Sequence, residues 1–160
     1  MRSEIFDRRT FLWGASLWGT SAVVVAGFGL LDTAPAQNKA PASWEEALKN
    51  IVGTAKPQEG KIKLDLPEIA ENGNTVPFTV TVESPMTEQS YVKSIHIVST
   101  GNPQPAVGTF HFTPQSGKAA VSGRMRLAKT QDVVGVAELS DGTFHIGRRT
   151  VKVTIGGCGG

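Results

Sequence analysis

The sequence predicts an all-β fold, an immunoglobulin-like antiparallel β-sandwich of about seven strands. Three observations predict it. From residue 61 onward, apolar side chains recur at every second position, the period of a strand with one buried face. Turn-forming pairs, Asn72-Gly73 and Asp141-Gly142, and the prolines Pro85, Pro103, Pro105 and Pro114 fall between these runs or at their ends, where a missing N–H does little harm. No helices alternate with the strands, so a parallel sheet built from βαβ units is not expected.

In chain order, residues 1–36 read as an export signal. Arg8 and Arg9 precede an uncharged stretch over residues 10–31, and Ala34-Pro35-Ala36 supplies small residues before a cut, so the mature chain would begin near Gln37. The stretch is about the length of the roughly 20 residues that a spanning helix requires. Its Gly14, Gly19, Gly27, Gly29, Ser16, Thr20 and Ser21 make it weakly hydrophobic, which favours removal over a permanent anchor. Asp7-Arg8-Arg9-Thr10-Phe11-Leu12-Trp13 resembles the twin-arginine signal. That route carries folded cargo, with either an inserted cofactor or a partner that lacks its own signal. The sequence shows no cofactor site, so a co-exported partner in the periplasm is expected.

The domain itself is expected over residues 37–155. Residues 38–41 read as a linker, and Ser43-Trp44-Glu45-Glu46 forms a capping box that should open a helix over residues 43–52. Trp44, Ala47, Leu48 and Ile51 give that helix one apolar stripe, and Gly53 stands where a C-cap glycine ends it. Strands are expected over residues 61–66, 76–82, 91–99, 107–113, 119–127, 133–139 and 143–155, the last with a possible break at Gly147.

Charge selects no partner class. The formal net charge is +2, and it stays there when residues 1–36 are removed, because Arg2, Arg8 and Arg9 balance Glu4, Asp7 and Asp32. Basic residues cluster only as Arg124 with Arg126 and as Arg148 with Arg149, too few for a nucleic-acid footprint. The arginine pair at 148 and 149 reads most simply as solvated, although a basic patch near the end of the chain would suit an anionic adduct.

The chemistry is concentrated in residues 156–160. The final strand runs directly into Gly156-Gly157-Cys158-Gly159-Gly160, which holds the single cysteine of the sequence. A lone cysteine permits no internal disulfide, so an exported protein of this kind has one thiol left to explain. Four glycines make a thin, mobile tether, and three extended residues carry the Cys158 α-carbon about 10 Å past the strand end. Such an arm can present a covalently held group to clefts in several enzymes. Thiolate is the reactive form, and the arm supplies neither a cation nor a helix N-terminus to promote it, so activation inside a partner's pocket is expected.

Other readings compete. A frayed tail with an incidental thiol would be a reactive liability, and an intermolecular disulfide does not call for four glycines. A ubiquitin-like diglycine tail needs ATP and leaves the cysteine without a role. His96, His111 and His145 with Met86 and Met125 are copper-type ligands by residue type, but their spacing forms no ligand motif, and no metal is expected. A periplasmic metal-delivery or redox-docking module with Cys158 as ligand is the alternative function, weakened because one soft ligand is too few. No Ser-His-Asp or paired-carboxylate spacing stands out, so no catalytic residue is assigned.

The 156–160 motif resembles the arm of the SoxY family, the sulfur carriers of the periplasmic sulfur-oxidising (Sox) system. Ile69-Ala70-Glu71-Asn72-Gly73, Ser84-Pro85-Met86-Thr87, Asn102-Pro103, Arg126-Leu127-Ala128-Lys129-Thr130-Gln131 and Val153-Thr154-Ile155 support the resemblance. It implies a sandwich that pairs with SoxZ, and a cysteine, Cys158 here, that is the covalent attachment point. Gly156, Gly157, Gly159 and Gly160 would give the arm reach and clearance. It also implies that the haem protein SoxXA joins thiosulfate to the thiol, that the dimanganese hydrolase SoxB releases sulfate, and that SoxCD, where present, oxidises the remaining sulfur. The chain would then be a substrate of those enzymes, with no cofactor of its own.

Overall fold

The computed structural model describes residues 43–156. The expected export signal and linker, and Cys158 with Gly157, Gly159 and Gly160, lie outside the described residues.

Helix α1, Trp44–Val52, forms as its capping residues require. Ser43 Oγ accepts the Glu46 N–H at 3.1 Å, and Gly53, at φ 60°, donates its own N–H to the Lys49 carbonyl at 2.8 Å. A side chain is disfavoured at that φ, so glycine ends the helix there. The apolar stripe of Trp44, Ala47, Leu48 and Ile51 packs on Val98, Val134 and Val136, with Phe144 and Ile146 alongside.

Nine strands follow among the described residues: β1 (Gln58–Glu59), β2 (Ile62–Asp65), β3 (Ile69–Asn72), β4 (Val76–Val82), β5 (Val92–Ser99), β6 (Ala106–His111), β7 (Ala119–Met125), β8 (Gln131–Leu139) and β9 (Phe144–Ile155). The larger sheet runs β1-β9-β8-β5-β6, with β3 also on β9, and the smaller runs β2-β4-β7. Between the two lies the main core. Val76, Phe78, Val80 and Val82 of β4 meet Ile95 and Ile97 of β5, Val133, Ala137 and Leu139 of β8, and Val151 of β9. Each fully buried valine or isoleucine contributes about 1.5–3 kcal/mol. The helix covers the opposite face of the larger sheet, so β8 alternates between two cores, Val133 and Ala137 inward and Val134 and Val136 toward α1.

All seven expected strands form, with ends shifted by one or two residues. The all-β sandwich is thus the observed fold. Two departures have physical causes. First, β1 and β3 were not expected. Both pair with β9 in parallel, β1 at His145 and Ile146, β3 from Lys152 to Ile155. Between them the chain turns at Gly60 (φ 102°) and Lys61 (φ 57°), crosses to the smaller sheet and forms β2 against β4. One edge strand is in effect divided, its middle lent to the opposite sheet. Second, Gly147 does not interrupt β9, because it pairs with Gly135 inside an unbroken ladder.

Candidate functional site

Strand β9 is the longest in the fold and delivers the chain to the arm at Ile155 and Gly156. Its last residues are held from both sides. The Ile155 carbonyl accepts the Gly73 N–H at 2.8 Å, and the Gly73 carbonyl accepts the Leu127 N–H at 2.8 Å. Thr130 Oγ1 accepts the Val153 N–H at 3.0 Å, and Thr154 Oγ1 donates to the Glu71 carbonyl at 3.0 Å.

Behind these contacts stands a side-chain amide pair. Asn102 Nδ2 donates to the Arg126 carbonyl at 2.8 Å, while its Oδ1 accepts from the Ala128 N–H at 2.9 Å and from Gln131 Nε2 at 2.8 Å. Gln131, buried, closes the network by donating to the Lys129 carbonyl at 3.1 Å and accepting the Gly101 N–H at 2.7 Å. The segment 126–131 makes no regular ladder until it joins β8, so side-chain amides supply the partners its backbone lacks. That segment lies against Gly156: a Cβ there would run directly into the Ala128 carbonyl oxygen. Gly156 is therefore glycine because two backbones pass too closely for any side chain.

Of the expected arm residues, the structure places Gly156 at this root. Asn102, Gln131, Thr130 and Gly73 were not singled out as functional. The signal was present in the segments that carry the family resemblance, four of which, around 69–73, 102–103, 126–131 and 153–155, converge here from distant parts of the chain.

The other residues weighed in the sequence are dispersed. Met86 and Met125 are buried in the main core. His145 is buried on β9, its Nδ1 without a hydrogen-bond partner among the described residues. His111 lies exposed at the end of β6. His96 sits between hydroxyls, Nε2 at 2.9 Å from Ser94 Oγ and Nδ1 at 3.0 Å from Thr109 Oγ1. Burial lowers its pKa from the ordinary histidine value, an effect opposed by the charge of Glu138 and reinforced by His111. Among the described residues, no three or more His, Cys, Asp or Glu side chains gather as a metal site.

The family described as sulfur oxidation protein SoxY matches residues 48–158, a span that ends on the arm cysteine. The chain belongs to the SoxY family. Among solved structures, the sulfur carrier protein SoxY from Chlorobium limicola f thiosulfatophilum is 37% identical, with TM-score 0.60, covering 71% of this chain and 97% of its own. A superoxide reductase (neelaredoxin) from Ignicoccus hospitalis is 17% identical, with TM-score 0.53, covering 59% of this chain and 80% of its own. At that identity the second likeness is one of fold alone. No curated protein sequence matches the chain. Membership in the SoxY family places the chain in sulfur oxidation.

Proposed function

We propose that this SoxY-family chain is a covalent carrier of sulfur intermediates, with Cys158 as the attachment point and Gly156, Gly157, Gly159 and Gly160 as its tether. The observation that carries this reading is the junction at Gly156. A strand locked by main-chain and amide contacts passes without a connecting loop into an arm bearing the sole thiol, in a chain of the same family as a protein described as a sulfur carrier.

The chemistry runs in two balanced steps. Thiosulfate joins the thiol through a new S–S bond, releasing one proton and two electrons to an acceptor of the SoxXA type. Water then attacks the terminal sulfonate at a SoxB-type hydrolase, the bond between the sulfane sulfur and the sulfonate breaks, sulfate leaves with the release of a proton, and the bond to Cys158 survives as a persulfide. A SoxCD-type enzyme would oxidise that sulfur where present. The chain is in each case the substrate, not the catalyst, and exposed Ile155 beside the root offers apolar surface to a docking enzyme. Export by the twin-arginine route, loss of residues 1–36 and pairing with a SoxZ-type subunit in the periplasm complete the proposal.

Intact-mass measurement of the protein purified from the periplasm, before and after reduction, tests it. Reducible additions of sulfur or thiosulfonate mapped to the Cys158 peptide are expected, and Cys158→Ser should lack them while unfolding at the same temperature. A bare thiol after incubation with thiosulfate and the loading cytochrome would overturn the reading.

A further inference from the structure

The divided edge strand leaves part of β9 uncovered. β1 covers His145 and Ile146, β3 covers β9 from Lys152 onward, and residues 147–151 have no strand beside them on that edge among the described residues. Arg148, Arg149 and Thr150 lie in the gap, and with Glu68, Ile69 and Lys152 they line an open groove of about 390 Å³. Neighbouring strand residues point to opposite faces, but at an uncovered edge long side chains from both faces can wrap into one slot.

The cations there differ in how far they are satisfied. The Arg148 guanidinium lies over the Trp44 ring, 5.1 Å from its centroid, and reaches Asp132 at 3.4 Å. Among the described residues Arg149 pairs only with Glu68, at 3.7 Å, whose side chain is 85% exposed. Lys152 makes no ion pair with any described residue. Its main-chain N–H donates to the Glu68 carbonyl at 2.9 Å, so by the alternation of a strand the N–H groups of Thr150 and Arg148 face the same edge. Arg149 and Lys152, with one loose partner between them, together with the edge-facing main-chain donors favour a compact anion with several acceptor oxygens.

We propose that this groove binds a tetrahedral sulfur oxyanion, either free in solution or borne on Cys158. The second source rests on the carrier reading. Cys158 lies two positions beyond Gly156, a reach of about 7 Å, and Gly156 lies four positions beyond Lys152, about 13 Å, so the Cys158 side chain and its adduct would supply the remaining distance of about 6 Å. Glu68 holds the site in the absence of the anion and gives way to it.

Backbone amide shifts of the Cys158→Ser protein, titrated with sodium sulfate against sodium chloride at equal ionic strength, test the groove without using the thiol. Sulfate-specific shifts confined to residues 68–69 and 148–152 are expected. Arg149→Gln and Lys152→Gln should each weaken the response by roughly threefold, the scale of one exposed ion pair, and Glu68→Gln should strengthen it. Equal shifts with chloride, or shifts elsewhere, overturn the proposal. The source is read from the unsubstituted protein treated with tetrathionate, whose central S–S bond breaks as the thiolate attacks, thiosulfate leaving and Cys158–S–S–SO₃⁻ remaining. Groove amides that move on this treatment identify the arm-borne group as ligand; amides that stay while free sulfate still moves them identify the free anion. Failure of tetrathionate to modify Cys158 would count against the carrier reading and leave the sulfate result standing.

Discussion

Gly135 and Gly147 face each other across β8 and β9, and Ile62 and Leu64 from the opposite sheet rest on the pair. The two positions are not equivalent. A Cβ at Gly135 would meet the tips of the Ile62 and Leu64 side chains at 3.0 and 3.1 Å, whereas one at Gly147 would also meet the Ile62 carbonyl oxygen at 3.3 Å. Gly147→Ala should destabilise the fold by about 1–3 kcal/mol, the cost of overpacking, and Gly135→Ala by less, because side-chain tips yield more readily than backbone. Denaturant unfolding of both variants checks the order.

Gly156→Ala is expected to dislodge the end of β9. The new methyl group cannot coexist with the Ala128 carbonyl oxygen, so the Ile155 carbonyl should lose its bond from Gly73. Faster amide exchange at Gly73 and Val153, with little change in the centre of the sheet, is the expected signature. Unchanged exchange at both amides would contradict the close approach.

Asn102→Ala removes three hydrogen bonds and leaves buried Gln131 short of a partner. The expected loss is about 1–3 kcal/mol, in the range for orphaning buried polar groups. Asn102→Asp should rescue only the acceptor side, since a carboxylate cannot donate to Arg126.

Protonation of His96 should weaken the fold. Its folded-state pKa lies below the ordinary value of 6.5, chiefly through burial. The unfolded chain therefore takes up the proton first, and stability contributed by neutral His96 falls as pH drops through 6.5 toward the folded value. His96→Gln, which can still bond Ser94 and Thr109, should flatten that part of the stability profile. An identical slope in both proteins would remove His96 from the account.

Cys158 should alkylate no faster than a simple thiol peptide at neutral pH when the protein is alone. The arm contains no cation or helix end to stabilise a thiolate. Timed reaction with iodoacetamide checks this, and acceleration appearing only with a partner enzyme would locate the activation in that enzyme's pocket.

Much of the fold was legible because burial on one face imposes a period of two on strands such as Val76–Val82, and a capping box with an apolar stripe marks a helix such as Trp44–Val52. The divided edge was not legible. Gln58–Glu59 is too short for a period, and Ile69–Asn72 buries only Ala70, so neither carries the pattern that pairing on an edge does not demand. Gly147 read as a possible break because a strand glycine signals either interruption or close approach, and only the position of Ile62 decides between them.

The candidate site divides in the same way. The arm motif is contiguous and visible in the sequence, whereas its root is assembled from Gly73, Asn102, Gln131 and Thr130, which are polar or glycine residues in unpatterned stretches. Apart from the amide contact between Asn102 and Gln131, their partners are backbone groups, which leave no trace in residue type.

The anchoring of Gly156 against Ala128 also has a kinetic meaning. Cys158 stands two positions beyond that point, so on the proposed carrier reading the thiol of a docked protein would be confined to a small volume around the strand end. Its effective concentration at an enzyme's reacting centre would then be of millimolar order or above, as for short flexible linkers. Lengthening the arm would dilute it roughly as the −3/2 power of tether length, and shortening it would forbid the encounter altogether.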